Sequence, residues 1–219
     1  MILPFVNSFL KFLFLLTPFF ALSMFLSMTQ GYDKKHKQLL ALRVGFSALI
    51  ICLVFFYFGR WLFEALGITI DSFRIGGGAL LFLSAVGLVN SNVADKKNPE
   101  NEVEGCAEER KNSLMNLAVV PLALPIIVGP GTTAALLVSG AESITLHAKM
   151  VNTTGMAAAL LVLTVMLFVS SWLEEKFGKN TIVVLSKITG LVLAAMAAQM
   201  IFTGIRAFLI DPLLKTAGA

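Results

Sequence analysis

The sequence predicts an all-α membrane protein with six transmembrane helices, arranged as two inverted three-helix repeats with helices 1 and 4 broken. Three observations predict it: an apolar composition, an uneven distribution of lysine and arginine among the loops, and a proline- and glycine-rich interruption inside one apolar segment. Hydrophobic residues make up 57% of the 219-residue chain and charged residues 14%. Mean hydropathy is +0.85, far from the balance of a soluble globular domain.

Six long apolar segments run at about Phe5–Thr29, Leu39–Phe63, Phe73–Asn90, Leu114–Gly140, Val151–Leu173 and Ile182–Ile210. Each is long enough to cross roughly 30 Å of hydrocarbon, allowing for tilt or breaks. The first lacks a basic region, a short apolar core and a small-residue cleavage site, so it is expected to be retained. Its Pro18 also points to a structural role.

The basic residues orient the spans. Loops one, three and five carry eleven: Lys34, Lys35, Lys37, Arg43, Lys96, Lys97, Arg110, Lys111, Lys176, Lys179 and Lys187. The other side carries six: Lys11, Arg60, Arg74, Lys149, Arg206 and Lys215. The positive-inside bias therefore puts the three odd loops in the cytoplasm and both termini outside. The net charge of +4 belongs to these loops and is no nucleic-acid footprint. Cys52 lies in the second span and Cys106 in a cytoplasmic loop, so neither a disulfide nor a metal site is expected.

The chain divides into a first repeat over residues 1–92, a flexible cytoplasmic linker over 93–113 and a second repeat over 114–219. The linker region holds Asp95, Glu100, Glu102, Glu104, Glu108 and Glu109 with four bases and little apolar content. Three matches relate the halves at nearly one spacing. Thr17-Pro18 resembles Gly129-Pro130 at an offset of 112, and Trp61-Leu62 resembles Trp172-Leu173 at 111. Arg74-Ile-Gly-Gly77 resembles Lys187-Ile-Thr-Gly190 at 113. Three spans is an odd number, so duplicated halves insert in opposite orientations, as in many alternating-access transporters.

The interruption is Pro121-Leu-Ala-Leu-Pro125-Ile-Ile-Val-Gly129-Pro130-Gly131-Thr132-Thr133. Three prolines and two glycines cannot occupy one unbroken helix, since each proline removes a donor and clashes one turn back. Inside a membrane such a break is tolerated only where protein or a water-filled cavity satisfies the freed backbone groups. It often marks a transporter's substrate site. Thr17 is expected to cap a second half-helix opening at Pro18. Gly129–Thr133 opens the other, and the two starts are expected to meet near mid-membrane from opposite sides. Their unpaired N–H groups suit a carboxylate, with the hydroxyls of Ser23, Thr132 and Thr133 completing a small polar pocket. The competing reading is that the prolines kink packed helices and the glycines permit close contact.

Other positions carry less chemistry. Gly76, Gly77 and Gly78 suit close helix packing or approach of a ligand. Gln199 suits either the pathway or an interhelical hydrogen bond. Arg74 and Lys187 read as interface anchors, and Asp71 pairs locally with Arg74 as a surface contact of little worth. No Asp or Glu falls mid-span, where proton relays usually sit, and His36 and His147 are isolated in loops. No nucleotide loop, metal cluster or catalytic triad is visible, so neither an enzyme nor a cofactor is expected.

Val119-Val-Pro-Leu-Ala-Leu-Pro125 with Gly129-Pro-Gly-Thr132 resembles the signature of the MarC (UPF0056-type) family of bacterial inner-membrane proteins. Gly67-Ile-Thr-Ile-Asp-Ser-Phe-Arg-Ile-Gly-Gly77 resembles the family's segment before the third span, and the final span from Lys187 to Ile205 fits too. The resemblance covers nearly the whole chain. It implies six spans, kinship with LysE-like exporters, an inner-membrane location and transport of small neutral amino acids such as glycine or alanine. The departure lies in the first span, where the family typically shows Asn-Pro-x-Gly-x-x-Pro. Here Thr17-Pro18-Phe19-Phe20-Ala-Leu-Ser23 places Phe20 at the glycine and Ser23 at the second proline, while Pro18 and Phe25 remain. A bulky Phe20 narrows or blocks the pocket, which weakens the substrate inference more than the fold. Three functions stay open: a secondary transporter of a small zwitterionic solute, a passive channel, and a non-transporting scaffold. The expected partners are the lipid bilayer, a small neutral solute and, as an open alternative, further copies of the chain.

Overall fold

A computed structural model describes residues 2–29, 32–90 and 128–210. Pro121, Pro125, Cys106 and the 93–113 linker lie outside the described residues. Every described element is helical. The order is α1 (Ile2–Leu15), α2 (Pro18–Met28), α3 (Lys34–Leu66), α4 (Ile70–Asn90), α5 (Pro130–Glu142), α6 (Leu146–Phe168) and α7 (Ser170–Ile205), which runs into a π-helical turn over Arg206–Ile210.

Five stretches are long and apolar enough to cross a membrane: Leu3–Met28, Lys34–Leu66, Ile70–Asn90, Leu146–Phe168 and Asn180–Phe208. The first is α1 and α2 together, interrupted at Leu16–Thr17. Of the expected fourth segment the structure describes Val128 onward, and α5 covers 13 residues of it. At 1.5 Å per residue α5 is about 20 Å long, a half-helix that cannot cross alone. It is also the most enclosed element, with Gly131, Thr132 and the whole run Ala134–Ala141 buried. The spanning helices instead turn large side chains such as Phe46, Leu83, Leu161 and Phe202 outward, as a lipid-facing surface requires.

The expected fifth span stops short of Leu173. The chain turns at Val169, whose N–H bonds the carbonyls of Val165 and Leu167, and restarts at Ser170. A second departure follows at Gly178, with φ 71° and ψ 157° inside α7. The piece between carries exposed Trp172 with the Lys176 ammonium 4.8 Å from its ring, as suits the membrane interface. The matching point in the first half is Gly67, which closes α3 at φ 64° and bonds back to Glu64 and Phe63. These are the two positive-φ glycines among the described residues, and they stand 111 positions apart, the offset that also relates Trp61 to Trp172. Only glycine adopts that backbone region freely.

Contacts fix which helix ends lie together. Ser8 meets Asn152, Arg74 meets Glu142, and Tyr57 meets Thr153. Gly204 packs on Asp71 and Arg74. One end of the bundle therefore gathers the starts of α1, α4 and α6 with the ends of α3, α5 and α7. The core between the ends is built on Phe12, Phe25, Phe56, Leu81, Met156, Leu163 and Leu193. α4 and α7 cross closely because Gly78 faces Ala197 and Ile201 while Gly190 faces Ala85 and Leu88.

Candidate functional site at the two helix breaks

The first break is a conformational outlier. Thr17 takes φ 45° and ψ 61° and is the one non-glycine residue with positive φ among those described. A left-handed threonine costs on the order of 1–3 kcal/mol and persists only where the surroundings hold it. Thr17 precedes α2 but makes no side-chain cap, which corrects the capping role expected from sequence. A left-handed cap residue turns its hydroxyl away from the amides that an extended one reaches. Pro18 does occupy the first helical position, where its missing donor and fixed φ fit. The start of α5 follows the same scheme with ordinary backbone. Gly129 is extended at φ −66° and ψ 172°, and Pro130 opens α5.

The breaks meet through one hydrogen bond. The Thr132 hydroxyl, in the first turn of α5, donates to the Leu15 carbonyl at 3.3 Å. That carbonyl is among the last of α1 and has lost its own helix's donors to the break. The pairing sets the negative end of α1 against the positive start of α5. It differs from the expected meeting of two helix starts, because α5 meets the end of α1 rather than the start of α2. Leu15, Leu16, Thr17, Val128 and Thr132 are all buried. Ser23 is buried within α2, and Thr133 is half-buried with its N–H bonded to the Gly129 carbonyl. Phe20 is half-buried and packs against the main core.

Polar groups continue from this meeting point along the seam between α1 and α5. The Lys11 ammonium donates to the Ser139 hydroxyl at 2.8 Å. Farther out, Ser143 donates to the Ser139 carbonyl, Asn152 donates to the Ser143 hydroxyl, and Ser8 donates to Asn152. On α1 the groups are at 8, 11 and 15, and on α5 at 132 and 139, with 143 at its C-cap. Both sets fall at helical spacing on one face. Lys11 is exposed and lies in the first half of the Leu3–Met28 span, and an ionisable residue within a span is a candidate functional group.

At the outer end of α5, Arg74 forms ion pairs with Asp71 and with Glu142, the latter at 2.9 Å from Nε. Its side chain is only 18% exposed. The Asp71–Arg74 pair is thus no isolated surface contact, because Arg74 also ties α4 to the half-helix. Of the glycine triplet, Gly77 faces Ala134 of α5, Gly78 faces α7, and Gly76 has nothing near it. Gln199 is exposed on α7. Sequence reasoning missed Lys11, Ser139, Asn152 and Glu142; the available signal was the helical spacing of polar residues inside apolar runs.

A family model described as MarC family integral membrane protein matches residues 3–209. The chain belongs to the MarC family. Among relatives, it is 32% identical over 206 residues to the UPF0056 membrane protein MJ1677 of Methanocaldococcus jannaschii, covering 94% of this chain and 98% of that one. It is 27% identical to UPF0056 membrane protein YvbG of Bacillus subtilis over 92% and 93% of the two chains. It is 28% identical to YhcE of Escherichia coli over 88% and 87%. No solved structure matches significantly. Both breaks and the seam between them lie inside the stretch that the MarC model matches.

Proposed function

We infer that this MarC family member is a secondary transporter or exporter of small neutral amino acids or similar small solutes, and not an enzyme. The observation that carries the reading is the Thr132–Leu15 hydrogen bond, which joins the break in the first span to the proline-opened start of α5. Amides at the starts of α2 and α5 lack helix partners, and a carboxylate is a fitting one. The reading takes the protein as six spans in two inverted repeats, residues 1–92 and 114–219, rocking about the breaks. The equivalent glycines Gly67 and Gly178 support that division, as does the docking of α5 on α4 and of α2 on α7. It places the protein in a bacterial inner membrane with both termini periplasmic and the 93–113 linker cytoplasmic. Basic residues favour this: Lys34, Lys35, Lys37, Arg43, Lys176, Lys179 and Lys187 lie toward one end, against Lys11, Arg60, Arg74, Lys149 and Arg206 toward the other.

The test is counterflow of labelled glycine, alanine and serine into liposomes holding the purified protein, with Phe20→Gly beside it. Saturable exchange supports the transporter. Unsaturable flux favours a channel, and silence from both proteins favours a scaffold. Activity confined to Phe20→Gly identifies a pocket narrowed away from these solutes. Pro130→Ala lets α5 continue backward through the break and should reduce exchange more than expression; unchanged exchange counts against a broken-helix site.

A further inference from the structure

We propose that Lys11 is a carboxylate-recognition residue, set on the seam that leads from one end of the bundle to the breaks. The cations are unequally paired. Arg74 is held by two carboxylates and Arg60 by Glu64, while Lys176 rests on Trp172. Lys11 lies within the first membrane span. Its ammonium meets the neutral Ser139 hydroxyl and lies 6.0 Å from the centre of the Phe12 ring. It forms no ion pair among the described residues.

Lys11 is exposed along its side chain while its ammonium meets the buried Ser139, and Glu142 acts on that charge from beyond ion-pair distance; an ammonium without a direct ion pair attracts an anion. A carboxylate offers two oxygens. One accepts from the ammonium as a charge-assisted hydrogen bond, and the other accepts from Ser139, whose hydroxyl can rotate to donate. Ser139 is buried and held on α5, so the pair presents a fixed two-point contact. The Leu15 carbonyl lies one helical turn deeper, about 6 Å along the axis, which makes Lys11 a staging point before the helix-start amides. A solute without a carboxylate can offer the ammonium only an uncharged acceptor, without charge assistance. The use of the site in transport rests on the function inferred above; binding of a carboxylate there does not.

The test is equilibrium binding to the purified full-length protein with labelled glycine and unlabelled competitors. In the wild type, acetate and alanine displace glycine, whereas glycinamide, with the carboxylate replaced by a neutral amide, does not. Lys11→Met weakens glycine binding by about tenfold or more, as expected for a lost charge-assisted bond, and Lys11→Arg recovers most of it. Absence of glycine and acetate binding, equal competition by glycinamide, or unchanged affinity in Lys11→Met each overturns the proposal. The competition arm needs no variant, so misfolding cannot mask the answer. Carboxylate binding without liposome flux leaves the site standing and removes the transporter reading. Flux that ignores Lys11→Met keeps the transporter and removes the site.

Discussion

The half-helices α2 and α5 begin alike and are held in opposite ways. Each opens on a proline at its first helical position. α5 is docked by absence of side chain: a Cβ at Gly140 would lie 1.8 Å from the Phe56 carbonyl oxygen, and one at Gly131 would lie 2.6 Å from Leu81 Cα. Its far end is pinned by Glu142 to Arg74, and its hydroxyls face α1. α2 is docked by bulk. Phe25 and Leu22 are fully buried, Phe20 packs on the core, and just past its end the Thr29 hydroxyl donates back to the Phe25 carbonyl. The backbone strain sits in the first half, at Thr17. Two helices that open alike on proline thus divide the labour, with polar chemistry on α5 and packing on α2.

The difference can be broken most severely at Gly140. Gly140→Ala should cost about 3 kcal/mol, since backbone rather than a flexible side chain must give way. Met28→Ala, at the matching offset of 112, should stay within about 0.5 kcal/mol because Met28 is exposed. Thermal denaturation in detergent compares them, and equal losses would remove the distinction. The next effect has the opposite sign. Thr17→Gly should raise stability by about 1 kcal/mol by releasing the left-handed strain; the same melt reads it, and no gain would mean that Thr17 is unstrained. Smallest is Glu142→Gln, which loosens α5 from α4 by roughly 0.5–1 kcal/mol at low salt and less at high salt. Melts at two ionic strengths separate this from a salt-independent packing loss.

The helix starts at Pro18 and Pro130 were legible in the sequence because proline and glycine act locally. Trp61 and Trp172 stand at the same offset, 111, as the two positive-φ glycines Gly67 and Gly178. The seam was not legible, because Lys11 and Ser139 stand 128 positions apart and meet only through long-range folding, with α1 packed on α6 and α5 on α3 and α4. Lys11 consequently read as one more charge on the outer side. Arg74 read as a local pair with Asp71 for the same reason, since Glu142 arrives from another helix. Thr17 misled because a threonine before a proline usually caps, and its left-handed backbone is imposed by the surrounding fold.

The most direct test of the central claim compares saturable amino-acid counterflow in wild type, Thr132→Val and Thr132→Ser, each verified as inserted. Valine keeps the shape and removes the hydroxyl that joins the breaks; serine keeps it. The account predicts exchange lost in Thr132→Val and largely retained in Thr132→Ser. Exchange equal to wild type in Thr132→Val would contradict a transport site at the meeting of the two breaks.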